Sequence, residues 1–124
     1  MEIKALVANS SNKERKNITQ SLKEIGVRDV VEATDGKQAM ELLQQGKYDV
    51  VFAEFNTQIG EGEELVKAFR KIDGKLPIIV TAPQSKKVDE LKKACPNASK
   101  YLTTPFTTDQ LRKTVSEYAP SIAV

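Results

Sequence analysis

The chain has no histidine and one cysteine, Cys95. Without histidine, Ser-His-Asp and Cys-His nucleophilic catalysis are excluded. A zinc site also loses its usual ligands. A lone thiol forms no intramolecular disulfide, which points to a reducing, cytoplasmic setting. An excess of one charge is lacking too: 19 basic against 17 acidic residues leave +2, too little to argue for nucleic acid. The pairs Lys86-Lys87 and Lys92-Lys93 are not interleaved with the aromatics that single-strand nucleic-acid binding uses. No apolar run approaches the length of a membrane span, and the segment near the N-terminus is too short for a signal. No repeat, linker or low-complexity tract divides the 124 residues. A single domain over 1–124 is therefore expected, with 119–124 as a short tail and no output domain.

What is present alternates. Short apolar, β-branched runs at Ile3–Ala8, Val30–Ala33, Val50–Ala53, Ile78–Thr81 and Lys100–Thr103 predict five strands. Several are hydrophobic almost throughout, as suits parallel strands covered on both faces. Between them run helical stripes: Ile18, Leu22 and Ile25; Ala39 and Leu43; Leu65, Phe69 and Ile72; Val88, Leu91 and Cys95; Leu111, Val115 and Tyr118. Gly26, Asp35-Gly36, Gly46, Gly74 and Pro77 punctuate the pattern. Pro96 disfavours a helical Cys95, so the fourth helix should stop there, with Asn97 suited to a left-handed cap. Five βα units in alternation predict an α/β, doubly wound parallel sheet with right-handed crossovers. In such sheets function lies beyond the carboxyl ends of the strands. That directs attention to Asn9-Ser10, Glu54 to Gly62, Thr81 to Ser85 and Thr103 to Pro105.

These segments resemble the receiver domain of two-component response regulators, most closely the single-domain chemotaxis type. The likeness is carried by Glu32-Ala33-Thr34-Asp35-Gly36, Tyr48-Asp49-Val50-Val51, Pro77-Ile78-Ile79-Val80-Thr81-Ala82, and Tyr101 followed by Thr104-Pro105-Phe106. It runs from about Lys4 to Tyr118. The resemblance implies a flavodoxin-like receiver fold with strand order 2-1-3-4-5. It also implies a cis bond before Pro105.

The resemblance further assigns a phosphorylation pocket, and here the sequence departs from it. The family's metal-holding acidic pair matches Asn9 and Ser10, and its phosphoacceptor aspartate matches Glu54. The residue that offers a backbone carbonyl to the metal matches Asn56. The family's lysine is Thr104, and the proline of the loop after the acceptor is Gln58, although Gly62 is kept. The hydroxyl residue Thr81 and the relay aromatic Tyr101 are retained. Phosphoryl transfer to a carboxylate needs a cation and in-line geometry. Mg²⁺ takes oxygen ligands that usually include one or two carboxylates, and Asn9 and Ser10 offer neutral oxygens. Glu54 carries one more methylene than aspartate, which moves its carboxylate outward by roughly 1.5 Å. Mg²⁺ affinity is therefore expected to be low or absent, with no other cofactor.

The expected role is a signalling adaptor rather than an enzyme, working by protein contact in a two-component or chemotaxis-type pathway. A longer Glu54 reaching Thr81 directly would bias it towards an activated-like face. Its partner is expected to be a kinase, an effector or a second copy of the chain. The family's docking face, formed by the fourth helix, fifth strand and fifth helix, would here carry Lys86, Lys87, Lys92, Lys93, Lys100, Tyr101, Arg112 and Lys113. Two alternatives remain open at this point. One is a working phosphorelay receiver whose metal is held by Glu14 or Glu61. The other is a flavodoxin-like phosphate binder at Ser10-Ser11-Asn12, although glycine is missing from that loop.

Overall fold

The computed structural model describes residues 3–55, 61–83, 88–96 and 98–118, with the backbone alone for residues 61–65 and Ala94. Five strands alternate with five helices. The strands are β1 (Lys4–Ala8), β2 (Asp29–Ala33), β3 (Val50–Glu54), β4 (Ile78–Pro83) and β5 (Lys100–Thr104). The helices are α1 (Asn12–Glu24), α2 (Gly36–Gln45), α3 (Glu61–Ile72), α4 (Val88–Ala94) and α5 (Thr108–Ser116). All pairings are parallel, and the sheet order is β2-β1-β3-β4-β5.

Strand periodicity sorts the core into two layers, because successive side chains leave opposite faces. On one face Ala5, Val7, Val50, Phe52 and Ile79 pack with Ile18 and Leu22 of α1 and with Leu111 and Val115 of α5. On the other, Leu6, Ala8, Val51, Ala53, Ile78 and Val80 pack with Ala39, Leu43, Val66 and Phe69. Phe52 and Phe69 are fully buried, each contributing about 1.5–3 kcal/mol over an exposed position.

Local chemistry fixes the helix ends. α1 closes in a Schellman motif: Val27 N–H donates to Leu22 O at 2.9 Å and Gly26 N–H to Lys23 O at 3.1 Å. Gly26 takes a φ of +102°, which a side chain would strain. Asp35 caps α2 by accepting from Gln38 N–H at 2.8 Å. Thr107 and Gln110 form a reciprocal capping box on α5.

Three helical stripes differ from expectation. In α3 the buried pair is Val66 and Phe69, while Ile72 is 39% exposed. At about 3.6 residues per turn, Ile72 lies well off the line between those two, and the side chain of Leu65 lies outside the described residues. Val88, the first residue of α4, is likewise exposed, whereas Leu91 and Cys95 are buried. α4 stops at Ala94, before the Cys95-Pro96 step. Tyr118 lies beyond the end of α5 and is half-buried. Asn97 and the 119–124 tail lie outside the described residues.

Candidate functional site

The carboxyl ends of β1, β3 and β4 lie side by side. Ala8 is in register with Ala53, and Glu54 with Thr81. Asn9 and Ser10 follow β1, so Ser10 reaches Glu54. The Glu54 carboxylate takes two hydrogen bonds on Oε1: from Ser10 N–H at 3.2 Å and from Ser10 Oγ at 2.8 Å. Hydrogen bonds to an ionised acceptor are stronger than neutral ones, and here one residue supplies two of them.

The direct contact with Thr81 that a longer Glu54 could make is not the one formed: the carboxylate is committed to the β1 side, where Ser10 offers it two donors. Thr81 is 1% exposed, and its hydroxyl has no hydrogen-bond partner among the described residues. A buried hydroxyl left in this way costs about 1–3 kcal/mol.

Asn9 organises the other half of the corner. Its Oδ1 accepts from Ser11 N–H at 2.8 Å, and its Nδ2 donates to Glu14 Oε1 at 3.0 Å. Glu14 N–H donates in turn to the Ser11 hydroxyl at 3.2 Å. Ser11 is thus the N-cap of α1. Its hydroxyl serves the helix, which removes the main support for a phosphate cradle at Ser10-Ser11-Asn12. Glu14 does face this corner, though its Oε1 meets an amide. Glu54 and Glu14 are both bound into this corner by hydrogen bonds. The side chain of Glu61, and Asn56 and Gln58 altogether, lie outside the described residues.

Sequence reasoning missed Arg15. It is 6% exposed and lies inside the pocket's wall. Its Nη1 donates to Asn9 O at 2.9 Å, its Nε to Glu32 Oε1 at 2.9 Å, and its Nη2 to Asn12 Oδ1. The exposed Lys16 adds a bond to Glu32 Oε2 at 3.0 Å. Burial works to raise the Glu32 carboxyl, but the hydrogen bonds and charges of Lys16 and Arg15 outweigh it and hold the group below the usual glutamate range. The signal was available: Arg15 stands three residues before Ile18 and seven before Leu22, on the same buried stripe. A cation there requires an internal partner.

On the β5 side, Thr104 Oγ1 donates to Ala82 O at 3.4 Å, a strand-to-strand contact. The Thr104–Pro105 bond is cis, as the resemblance implied. Tyr101 is half-buried against the core layer that contains Phe69 and Cys95. Its hydroxyl donates to Cys95 O, at the end of α4. Burial first, and then Cys95, push its phenol up.

The basic face is smaller than a count of lysines suggests. Lys100 pairs with Glu117 at 3.0 Å and Arg112 with Asp109 at 2.6 Å. Lys92, Lys93 and Lys113 are exposed. Lys86 and Lys87 lie outside the described residues.

The sequence model of the response regulator receiver domain matches residues 5–116. The chain belongs to the response regulator receiver domain family. It is similar to the chemotaxis protein CheY of Pseudomonas aeruginosa, at 24% identity over 117 residues, covering 93% of this receiver and 94% of that protein. The chemotaxis protein CheY-3 of Vibrio cholerae is 25% identical over 113 residues, covering 90% and 87%. Among solved structures, CheY4 of Vibrio cholerae superposes with a TM-score of 0.81 at 25% identity, covering 95% of this receiver and 99% of that chain. The receiver domain of the Pseudomonas aeruginosa sensor histidine kinase PA1611 shares the fold, with a TM-score of 0.79 at 19% identity, covering the whole of both chains. That structure has a magnesium ion in its active-site cleft. The receiver described here is thus a signalling module of the two-component and chemotaxis type. Receivers of this kind communicate with kinases or effectors. Among the described residues, no helix is long and apolar enough to cross a membrane.

Proposed function

We propose that this receiver acts as an adaptor, passing a signal by protein contact without ordinary Mg²⁺-dependent phosphorylation. One observation carries the reading: Glu54, the acceptor-equivalent carboxylate, is hydrogen-bonded twice to Ser10, a residue that stands where the family has a metal ligand. The residues at hand do not fit Mg²⁺. Asn9 has its side-chain oxygen occupied by Ser11 N–H, Ser10 donates its hydroxyl to Glu54, and Thr104 adds no charge. Mg²⁺ demands near-octahedral oxygens and gives up water reluctantly. Asn9, Ser10 and Thr104 carry no positive charge to offset that of an incoming phosphoryl group.

The partner is a kinase, an effector or a second copy, and it meets the α4–β5–α5 face. Exposed Lys92, Lys93 and Lys113 favour an acidic segment there, which would tune the association rate more than the affinity.

The deciding experiment is the intact mass after incubation with Mg²⁺ and a small acyl phosphate. The mass is expected to stay unchanged. A phosphoryl adduct that disappears in Glu54→Ala overturns the adaptor reading. The adduct would favour the phosphorelay alternative, for which the position of Glu14 beside Asn9 is the supporting observation.

A further inference from the structure

The Glu54 carboxylate has two neighbours that can bind it, Ser10 and Thr81. We propose that Ser10 is a positioning residue that keeps the Glu54 carboxylate at the β1 end, and that without the Ser10 hydroxyl the carboxylate crosses one strand to Thr81. The proposal rests on the reading of Glu54 as unphosphorylated.

Three observations support it. The first is the Ser10 contact: of the two bonds to Glu54 Oε1, the shorter, at 2.8 Å, comes from the hydroxyl. The second is register. Thr81 is the cross-strand partner of Glu54, and neighbouring strands lie about 4.8 Å apart. Residues paired in this way project from the same side of the sheet, so the span is within a glutamate side chain's length. The third is the state of Thr81. Its hydroxyl is buried and unpartnered, and a buried donor without an acceptor gains a full hydrogen bond when a carboxylate arrives.

The charged groups near Glu54 do not oppose the move. On the β5 side Thr104 is neutral. Glu14 is bound to Asn9, on the β1 side, so displacement towards β4 takes Glu54 away from the other carboxylate of the corner. Ser10 thereby decides which strand end carries the pocket's charge.

The test uses the full chain in solution NMR, comparing wild type, Ser10→Ala, Thr81→Val and Ser10→Ala/Thr81→Val. Ser10 is exposed, so its hydroxyl is not needed for the core. Ser10→Ala is expected to shift the amide signals of Thr81 and Ala82. Those shifts are expected to be lost in the double variant, measured against Thr81→Val. A purely local role for Ser10 predicts changes confined to residues 9–14. That result, or Ala82 shifts that persist in the double variant, overturns the proposal. Failure here leaves the adaptor reading intact, whereas failure of that reading appears as a phosphoryl adduct in the mass experiment.

Discussion

Replacing Thr81 by valine should stabilise this protein. Most core substitutions destabilise, so the sign alone is informative. Valine and threonine have nearly the same shape, and the site is 1% exposed, so the change removes a hydroxyl and leaves a methyl in its place. The hydroxyl has no partner among the described residues, so no hydrogen bond to them is lost. What disappears is the desolvation cost of an unsatisfied buried group, about 1–3 kcal/mol. Valine also favours a strand. For a domain of this size, about 1–2 kcal/mol corresponds to a rise in Tm of roughly 3–10 °C. Urea unfolding followed by circular dichroism measures the effect, and the midpoint should rise with an unchanged slope. Thr19→Val is the matched control. Its hydroxyl is also buried without a partner, but it lies in α1, outside the pocket. It should stabilise similarly, since threonine and valine have close helix propensities. If Thr81→Val lowers stability while Thr19→Val raises it, Thr81 has a partner that the geometry does not account for, and the reasoning about the pocket fails. If both rise, the native threonine at position 81 is kept at a cost in stability, as residues kept for function often are.

Two further expectations concern Arg15. Arg15→Met should destabilise by about 2–4 kcal/mol in urea unfolding, because it leaves Glu32 and the Asn9 carbonyl without their buried donor. A double-mutant cycle with Glu32→Gln should show clear coupling, and additivity within about 0.5 kcal/mol would refute the pairing. Glu32 also sets an acid limit. Its pKa is lowered in the fold, so its contribution is complete above the unfolded value, about 4.3, and is lost as pH falls through the lower folded value. Stability curves of wild type and Glu32→Gln should therefore run parallel above about pH 5 and converge below about pH 4.

How much of this was legible depended on what each feature answers to. The strands could be read because β1, β3 and β4 are buried on both faces, so their apolar runs are nearly unbroken. β5, with every residue half-buried, was read from the weaker run Lys100–Thr103, whose ends are polar because one strand edge is left uncovered by a further strand. Strand order came from the resemblance, since periodicity says nothing about which strands are neighbours. The residue types at Asn9, Ser10, Glu54 and Thr104 could be read directly, because charge is a property of residue type. The direction of Glu54 could not. Either Ser10 or Thr81 lies within reach, and the choice depends on the two donors that Ser10 turns towards it. Arg15 was missed for a different reason: a cation in a helix looks like a solvated face until the stripe it occupies is checked against Ile18 and Leu22. Ile72 and Val88 show the converse error. Each has the spacing of a core residue but sits off the line that its helix presents to the sheet.

The Ser10–Glu54 contact has a consequence for timing. An acyl phosphate decays by hydrolysis, so a signal stored in one carries its own expiry. A carboxylate held by hydrogen bonds has no covalent half-life. Under the adaptor reading, the influence of this receiver ends only when its partner dissociates, and its strength follows the number of copies present and their dissociation constant. Control then passes from phosphatase chemistry to abundance, and a cell would adjust such a domain by making or degrading it.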